Sequence, residues 1–281
     1  VRLPGAGADV PELPEVETIR RSLEPLLIGR SVAALELRAP RLRLPLGEEL
    51  RRGVEGRRIT GSARRGKYLW FVLDDGRGWF FHMGMSGRLR FVAGADAGVG
   101  THDHLVARFR GGDALVFHDP RRFGLCVVDD PATTRLLAGM GPEPLDEAAF
   151  DAAYLATFRY RTTRTVKDVL MDQRVVAGLG NIYVNEILFR CGLRPRRSMA
   201  RLTTRDCAGV VAATREVIAE AIEHRGSSIS DFLDGIGKRG GYQVLHRVYD
   251  REGRPCPICD AVIKAVVVGQ RSSFYCPNCQ R

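Results

Sequence analysis

From Glu15 onward the apolar residues Val16, Ile19, Leu23, Leu26 and Leu27 recur at helical spacing, and Pro14 stands where the first helical turn tolerates it. A series of short runs rich in Val, Leu, Phe and Trp follows, broken by Gly, Asp and Pro. The runs cover residues 32–38, 58–63, 68–73, 78–82, 87–92, 104–110, 114–118 and 124–129. Short strands at that cadence predict a β-sandwich or barrel. Gly141-Pro-Glu-Pro-Leu-Asp146 reads as a linker, and beyond it the period turns helical near 147–157, 165–172, 183–191 and 204–224. A β-rich tail carrying cysteines occupies 246–281. Residues 1–10 have no apolar period and read as a disordered extension. The pattern predicts an α+β multidomain chain: a β-rich half at 11–140, a helical half at 147–245 and a small metal module at 246–281.

Composition adds exclusions. Over 281 residues, 44% are hydrophobic and 27% charged, too apolar for a disordered chain. No run approaches the roughly 18 apolar residues of a membrane span, and residues 1–10 lack the apolar stretch of a signal peptide. A soluble, cytoplasmic protein with no membrane partner is expected. The net charge of +10 favours a polyanion, most often nucleic acid, over the alternative of a general arginine bias. Lysines are few beside the arginines: Lys67, Lys167, Lys238 and Lys264. A lysine in such a chain is a candidate for proton chemistry, because an ammonium can give up its proton and a guanidinium cannot.

The cysteines divide sharply. Cys256-Pro-Ile-Cys259 and Cys276-Pro-Asn-Cys279, sixteen residues apart, have the spacing of a zinc ribbon. One structural zinc is expected there; disulfides are the alternative, disfavoured in a reducing compartment. Four thiolates close the coordination shell, so this metal activates no water. Cys126, Cys191 and Cys207 are isolated and read as packed or surface thiols. Arg271, between the cysteine pairs, is either a solvated turn residue or an arginine held rigidly towards a phosphate.

Pro11-Glu-Leu-Pro-Glu-Val-Glu-Thr18 adds a different kind of information. By itself it is an acidic helix start. It is accompanied by Arg65-Gly-Lys-Tyr68, His82-Met-Gly-Met-Ser-Gly87, Asp119-Pro-Arg-Arg-Phe-Gly124, Leu179-Gly-Asn-Ile-Tyr183 and the terminal cysteine ribbon. With these motifs in this order the chain, from Pro11 to Arg281, resembles the bacterial formamidopyrimidine-DNA glycosylases. The resemblance implies a β-sandwich with a flanking helix, a helix–two-turn–helix domain and a zinc finger. It implies a bifunctional glycosylase and AP lyase of base-excision repair acting on oxidised purines in duplex DNA, as a monomer with no small-molecule cofactor. It also implies roles. Pro11 is the amine nucleophile, Glu12 its acid/base partner and Glu15 a supporting carboxylate. Lys67 assists β-elimination and Arg271 assists δ-elimination at the phosphate. Met85, Arg121 and Phe123 fill the space left by the everted nucleotide, while His102, Arg161, Lys167 and Asn181 contact DNA. A terminal α-amine suits the first role, since its ordinary pKa of about 7.7–8.0 leaves far more of it neutral at pH 7 than a lysine.

The chain departs from the family pattern in two places. Val10 precedes Pro11, so the proline nitrogen is an amide as the sequence is written. The expectation is that Val10 marks a misread valine start codon whose removal frees Pro11; the alternatives are a later clipping or an inactive paralogue. Ser230 stands where members often carry Lys or Arg in a base-recognition loop, which bears on lesion preference. Rival functions are the sister endonuclease for oxidised pyrimidines, a non-catalytic zinc-containing DNA-binding protein and a zinc-ribbon RNA-binding protein.

Overall fold

The acidic start and its apolar period fold as helix α1 (Leu13–Leu27), with Glu12 as its N-cap and Pro14 in its first turn. Its apolar stripe, Val16, Ile19, Leu23 and Leu27, is fully buried. The computed structural model describes residues 11–94, 99–228 and 232–281; the extension at 1–10 and Ser230 lie outside the described residues.

The eight predicted strands form two antiparallel four-stranded sheets. They are β1 (Val32–Leu37), β2 (Ile59–Arg65), β3 (Tyr68–Leu73), β4 (Gly78–His82), β5 (Arg88–Val92), β6 (Asp103–Phe109), β7 (Ala114–His118) and β8 (Leu125–Asp129). One sheet runs β1-β6-β7-β5 and the other β2-β3-β4-β8. Leu35, Leu89, Leu105 and Phe117 from the first sheet meet Leu69, Phe71, Trp79 and Phe81 from the second in one apolar core that α1 shares. The architecture is a β-sandwich, not a closed barrel, because alternate side chains of both sheets face a common interior. Helix α2 (Glu48–Val54) was not predicted: it buries only Leu50, Gly53 and Val54, too few positions to establish a period.

The helical half contains α3 (Ala152–Ala156), α4 (Val166–Leu170), α5 (Asn181–Arg190) and α6 (Thr204–Glu223), and the tail forms one hairpin, β9 (Lys264–Val268) with β10 (Arg271–Tyr275). Thr203 caps α6 with Asp206 in a reciprocal box, and Thr165 caps α4.

The chain divides into two compact units, and the division cuts across the linear order. Arg225–Gly240, which follows α6 and reads as part of the helical half, folds with the sandwich, while Gly139–His224 and Gly241–Arg281 make up the other unit. Hydrogen bonds account for the first assignment: the Ser227 amide donates to Glu15 Oε1 at 2.6 Å, and the Gly235 amide to Ser22 Oγ at 3.0 Å. The Gly235 carbonyl in turn accepts from the Phe91 amide at 2.8 Å.

Candidate active site and zinc centre

Pro11 immediately precedes the N-cap of α1. Glu12 and Glu15 are both 2% exposed. The Glu12 amide donates to Glu15 Oε2 at 2.9 Å, and the other Glu15 oxygen takes the Ser227 amide. Glu15 therefore fixes the backbone that carries Pro11 and Glu12, and ties it to the segment after Arg225. Both carboxylates sit at the positive end of the helix dipole, where anionic groups are favoured.

Lys67 lies in the two-residue turn between β2 and β3, where Arg65 pairs with Tyr68. Gly66 takes φ +55°, the left-handed conformation that a tight hairpin turn needs and glycine supplies. The Lys67 side chain is half-buried.

A second cluster gathers the predicted wedge residues. Asp119, fully buried, accepts from Ser86 Oγ at 2.5 Å through one oxygen and from the Gly124 amide at 2.7 Å through the other. Ser86 Oγ also accepts the Arg121 amide at 3.2 Å. At Gly84 (φ +61°) a Cβ would lie 2.5 Å from the Phe123 carbonyl carbon, so only glycine lets the two loops touch. The loop bearing Met85 and the loop bearing Arg121 and Phe123 are thereby joined. Arg121 and Phe123 are exposed, the guanidinium standing 5.0 Å from the ring centre. His102 belongs here as well: its carbonyl accepts the Asp119 amide at 2.9 Å, and its exposed ring lies 5.9 Å from that of His118.

Several members of this site stand in the sequence only as motif letters with no role assigned. His82 accepts the Gly84 amide on Nδ1 at 3.0 Å and so shapes the turn before Met85. Burial, aided by the charges of Arg43 and Lys67, holds its pKa down at about 3, and the ring is neutral at pH 7. Asp119 and Ser86 were visible only as letters within motifs, because their roles depend on loops 33 residues apart meeting.

In the other unit, Gly178 (φ +87°) donates its amide to Gln173 Oε1 at 2.8 Å, while Gln173 Nε2 donates to the Leu179 carbonyl at 2.8 Å. One glutamine thus zips the turn that delivers Asn181 to the first position of α5, where backbone N–H groups at a helix start suit a phosphate. Asn181 is half-buried and Arg161 exposed. Lys167 departs from its expected role. It is completely buried, and Nζ donates to the Ser272 carbonyl at 3.0 Å and Ser273 Oγ at 2.5 Å. An ammonium spent inside the protein is not a phosphate contact; it holds the β9–β10 hairpin. Arg271 opens β10, exposed, directly after a tight turn in which Gly269 and Gln270 both have positive φ.

The sulfurs of Cys256, Cys259, Cys276 and Cys279 all lie within 4.8 Å of one another, the only such metal-ligand cluster among the described residues. Cys259 Sγ is 3.4 Å from Cys276 Sγ and Cys256 Sγ is 3.8 Å from Cys279 Sγ. Tetrahedral zinc with bonds of about 2.3 Å separates its sulfurs by about 3.8 Å, so the cage fits that ion. Backbone amides of Ile258 and Cys279 point at Cys256 and Cys276 Sγ, as thiolates require. The centre is structural, and Phe189, Val248 and Ile263 pack around it.

A sandwich with a carboxylate-lined helix start, a glycine turn that opens a helix and a four-thiolate finger point to the class of zinc-bearing DNA glycosylases. Comparison with known proteins gives the same class. Residues 10–126 match the formamidopyrimidine-DNA glycosylase N-terminal domain, 140–233 the H2TH domain of those enzymes, and 253–281 the zinc finger found in FPG and IleRS. The chain belongs to the formamidopyrimidine-DNA glycosylase family. The formamidopyrimidine-DNA glycosylase of Cereibacter sphaeroides is 45% identical over 285 residues, spanning 97% of this chain and all of that relative. That of Thiobacillus denitrificans is 46% identical over 274 residues with the same coverage. Among solved structures, a Lactococcus lactis FPG mutant in complex with Fapy-dG-containing DNA aligns with a TM-score of 0.89 at 34% identity, covering 96% of this chain and all of that one. The MutM (FPG) protein of Thermus thermophilus aligns at 0.85 with 40% identity, covering 96% and 98%. Among the described residues no helix is long and apolar enough to cross a membrane.

Proposed function

We propose that the chain excises oxidised purines, 8-oxoguanine and formamidopyrimidines, from duplex DNA and cleaves the strand by β,δ-elimination. The observation that carries this reading is the buried pair Glu12 and Glu15 at the helix start directly after Pro11, one carboxylate locking the backbone and the other beside the nucleophile.

The Pro11 nitrogen, as a free secondary amine, attacks C1′ of the damaged nucleotide; the bond from C1′ to the base breaks, and the base departs with the proton that the amine gives up, relayed by Glu12. Glu12 delivers a proton to the ring oxygen O4′ as the sugar opens, leaving an iminium between Pro11 and C1′. The iminium accepts the electron pair released when the C2′ proton is removed, and the 3′ phosphate departs with Lys67 assisting. A second elimination expels the 5′ phosphate with Arg271 assisting. Met85, Arg121 and Phe123 occupy the gap in the stack, offsetting a few kcal/mol of unstacking. His102, Arg161 and Asn181 hold the phosphates. By domain, 11–140, joined by Arg225–Gly240, carries the chemistry, the rest of 147–245 grips the duplex and 246–281 presents Arg271. The enzyme acts as a cytoplasmic monomer on double-stranded DNA.

The mechanism requires Pro11 to be amino-terminal. The family match begins at residue 10, directly before Pro11. The test is a borohydride trap on protein expressed from the native gene, with a duplex holding one 8-oxoguanine, followed by peptide mass spectrometry. A reduced adduct on an amino-terminal Pro11 is expected. No adduct from chains verified to retain residues 1–10 would mean a blocked, DNA-binding protein, and preferential trapping on an oxidised-pyrimidine duplex would move the enzyme to the sister specificity.

A further inference from the structure

We propose that Arg64 is a positioning residue for Lys67, acting as a strut between the helix that carries the nucleophile and the turn that carries the lysine. The inference rests on the assignment of Lys67 to the elimination step.

The strut starts at Glu17 on α1, whose side chain is only 9% exposed and is ringed by guanidinium groups. Arg20 Nη2 reaches Oε1 at 2.9 Å, Arg21 Nε reaches Oε1 at 2.7 Å, and Arg64 Nε reaches Oε2 at 3.1 Å. Burial works against ionisation here, but the hydrogen bonds from Arg20 and Arg21 and the charges of Arg20 and Arg64 outweigh it and hold the pKa down to about 2. The carboxylate is a permanent anion at working pH.

Arg64 sits near the end of β2, with its side chain 12% exposed. Besides Glu17, its guanidinium donates through Nη1 to the Gly66 carbonyl at 3.0 Å. That carbonyl shares a peptide plane with the Lys67 amide. Fixing the plane fixes the direction in which the Lys67 side chain leaves the turn. The β2–β3 ladder closes with Arg65 opposite Tyr68, a backbone pairing that does not include this contact. What Arg64 adds is the orientation of the turn peptide relative to α1. A second link sets the same two elements in register: Arg20 Nη1 donates to Ser62 Oγ at 3.0 Å, and Ser62 Oγ donates to Glu24 Oε1 at 2.9 Å.

Only arginine fits the part. Its planar fork presents separate donors to a carboxylate and to a carbonyl at once, whereas a lysine offers one ammonium on a flexible stem. Arg64→Lys keeps the charge beside Glu17 and loses the fork, so it separates geometry from electrostatics.

The experiment is single-turnover cleavage of a duplex containing one abasic site, run on Lys67→Ala, Arg64→Met, Arg64→Lys and the double variant Lys67→Ala/Arg64→Met. Lys67→Ala is expected to slow elimination by about 100-fold, the low end for a lost acid/base group. Arg64→Met and Arg64→Lys are expected to lower the maximal single-turnover rate constant by about 10-fold, with the half-saturating enzyme concentration unchanged. The double variant is expected to be no slower than Lys67→Ala alone, because a strut for an absent side chain has nothing left to position. Multiplied losses in the double variant, or full-rate elimination by both Arg64 variants, overturn the proposal. Full-rate elimination by Lys67→Ala also overturns it, and traces the failure to the Lys67 assignment. Thermal unfolding of Arg64→Lys at the wild-type temperature, with slowed elimination, excludes general damage to the fold.

Discussion

At the residue scale, a few side chains fix backbone geometry for the neighbours to which the proposed function assigns the chemistry. Glu15 clamps the Glu12 amide, and His82 clamps the Gly84 amide. Removing the proton donor without removing its bulk tests the first arrangement: Glu12→Gln should lower base release by about 10²–10⁴-fold while DNA affinity, measured by fluorescence anisotropy, changes by less than about 3-fold. His82 makes a prediction about pH. Its folded pKa, about 3, lies below the ordinary 6.5, so the unfolded chain takes up the proton first as pH falls. Its contribution to stability is lost between pH 6.5 and 3, whereas Glu17, held at about 2 against an ordinary 4.5, stabilises above pH 4.5 and loses that only towards pH 2. His82→Gln, whose amide oxygen can still accept from Gly84, should flatten the fall in urea-unfolding free energy between pH 6.5 and 4. An unchanged slope would refute that account.

At the element scale, the β9–β10 hairpin depends on groups outside it. Lys167 and Asn185, from two different helices, hydrogen-bond β10, and the cysteine cage closes its base. Lys167→Met should cost about 2–4 kcal/mol, since it removes two charge-assisted hydrogen bonds and leaves the buried Ser273 Oγ only its bond to the Arg271 carbonyl; denaturant unfolding measures it. Zinc removal by a strong chelator should unfold the hairpin and abolish strand cleavage, with recovery on adding zinc, followed by circular dichroism and nicking. Lys167 also marks a limit of reading from sequence. A lysine near a predicted DNA-binding turn looks like a phosphate ligand, and only the fold reveals that a strand more than 100 residues later has covered it.

At the scale of the whole molecule, net charge of +10 sets a salt dependence. The logarithm of DNA affinity should fall linearly with the logarithm of salt concentration. Arg161→Ala should reduce that slope by about one and weaken damaged and undamaged duplexes alike. The sandwich strands were legible because short apolar runs broken by Gly, Asp and Pro mark them off, and the cysteine cage because its spacing is local. The return of Arg225–Gly240 to the sandwich was not legible: it is set by backbone amides meeting Glu15 and Ser22, which leave no periodic trace. The wedge loops fall between these cases, their residues evident from motifs and their union from none.

That union has a kinetic meaning. Asp119 grips both loops through one side chain, and Gly84 lets their backbones touch. Loops fastened this way move together, so under the proposed function Met85, Arg121 and Phe123 would meet a base pair as one rigid tool. On that proposal interrogation of DNA would be all-or-none, with an undamaged pair rejecting the whole tool at once and a weakened pair admitting it in one event.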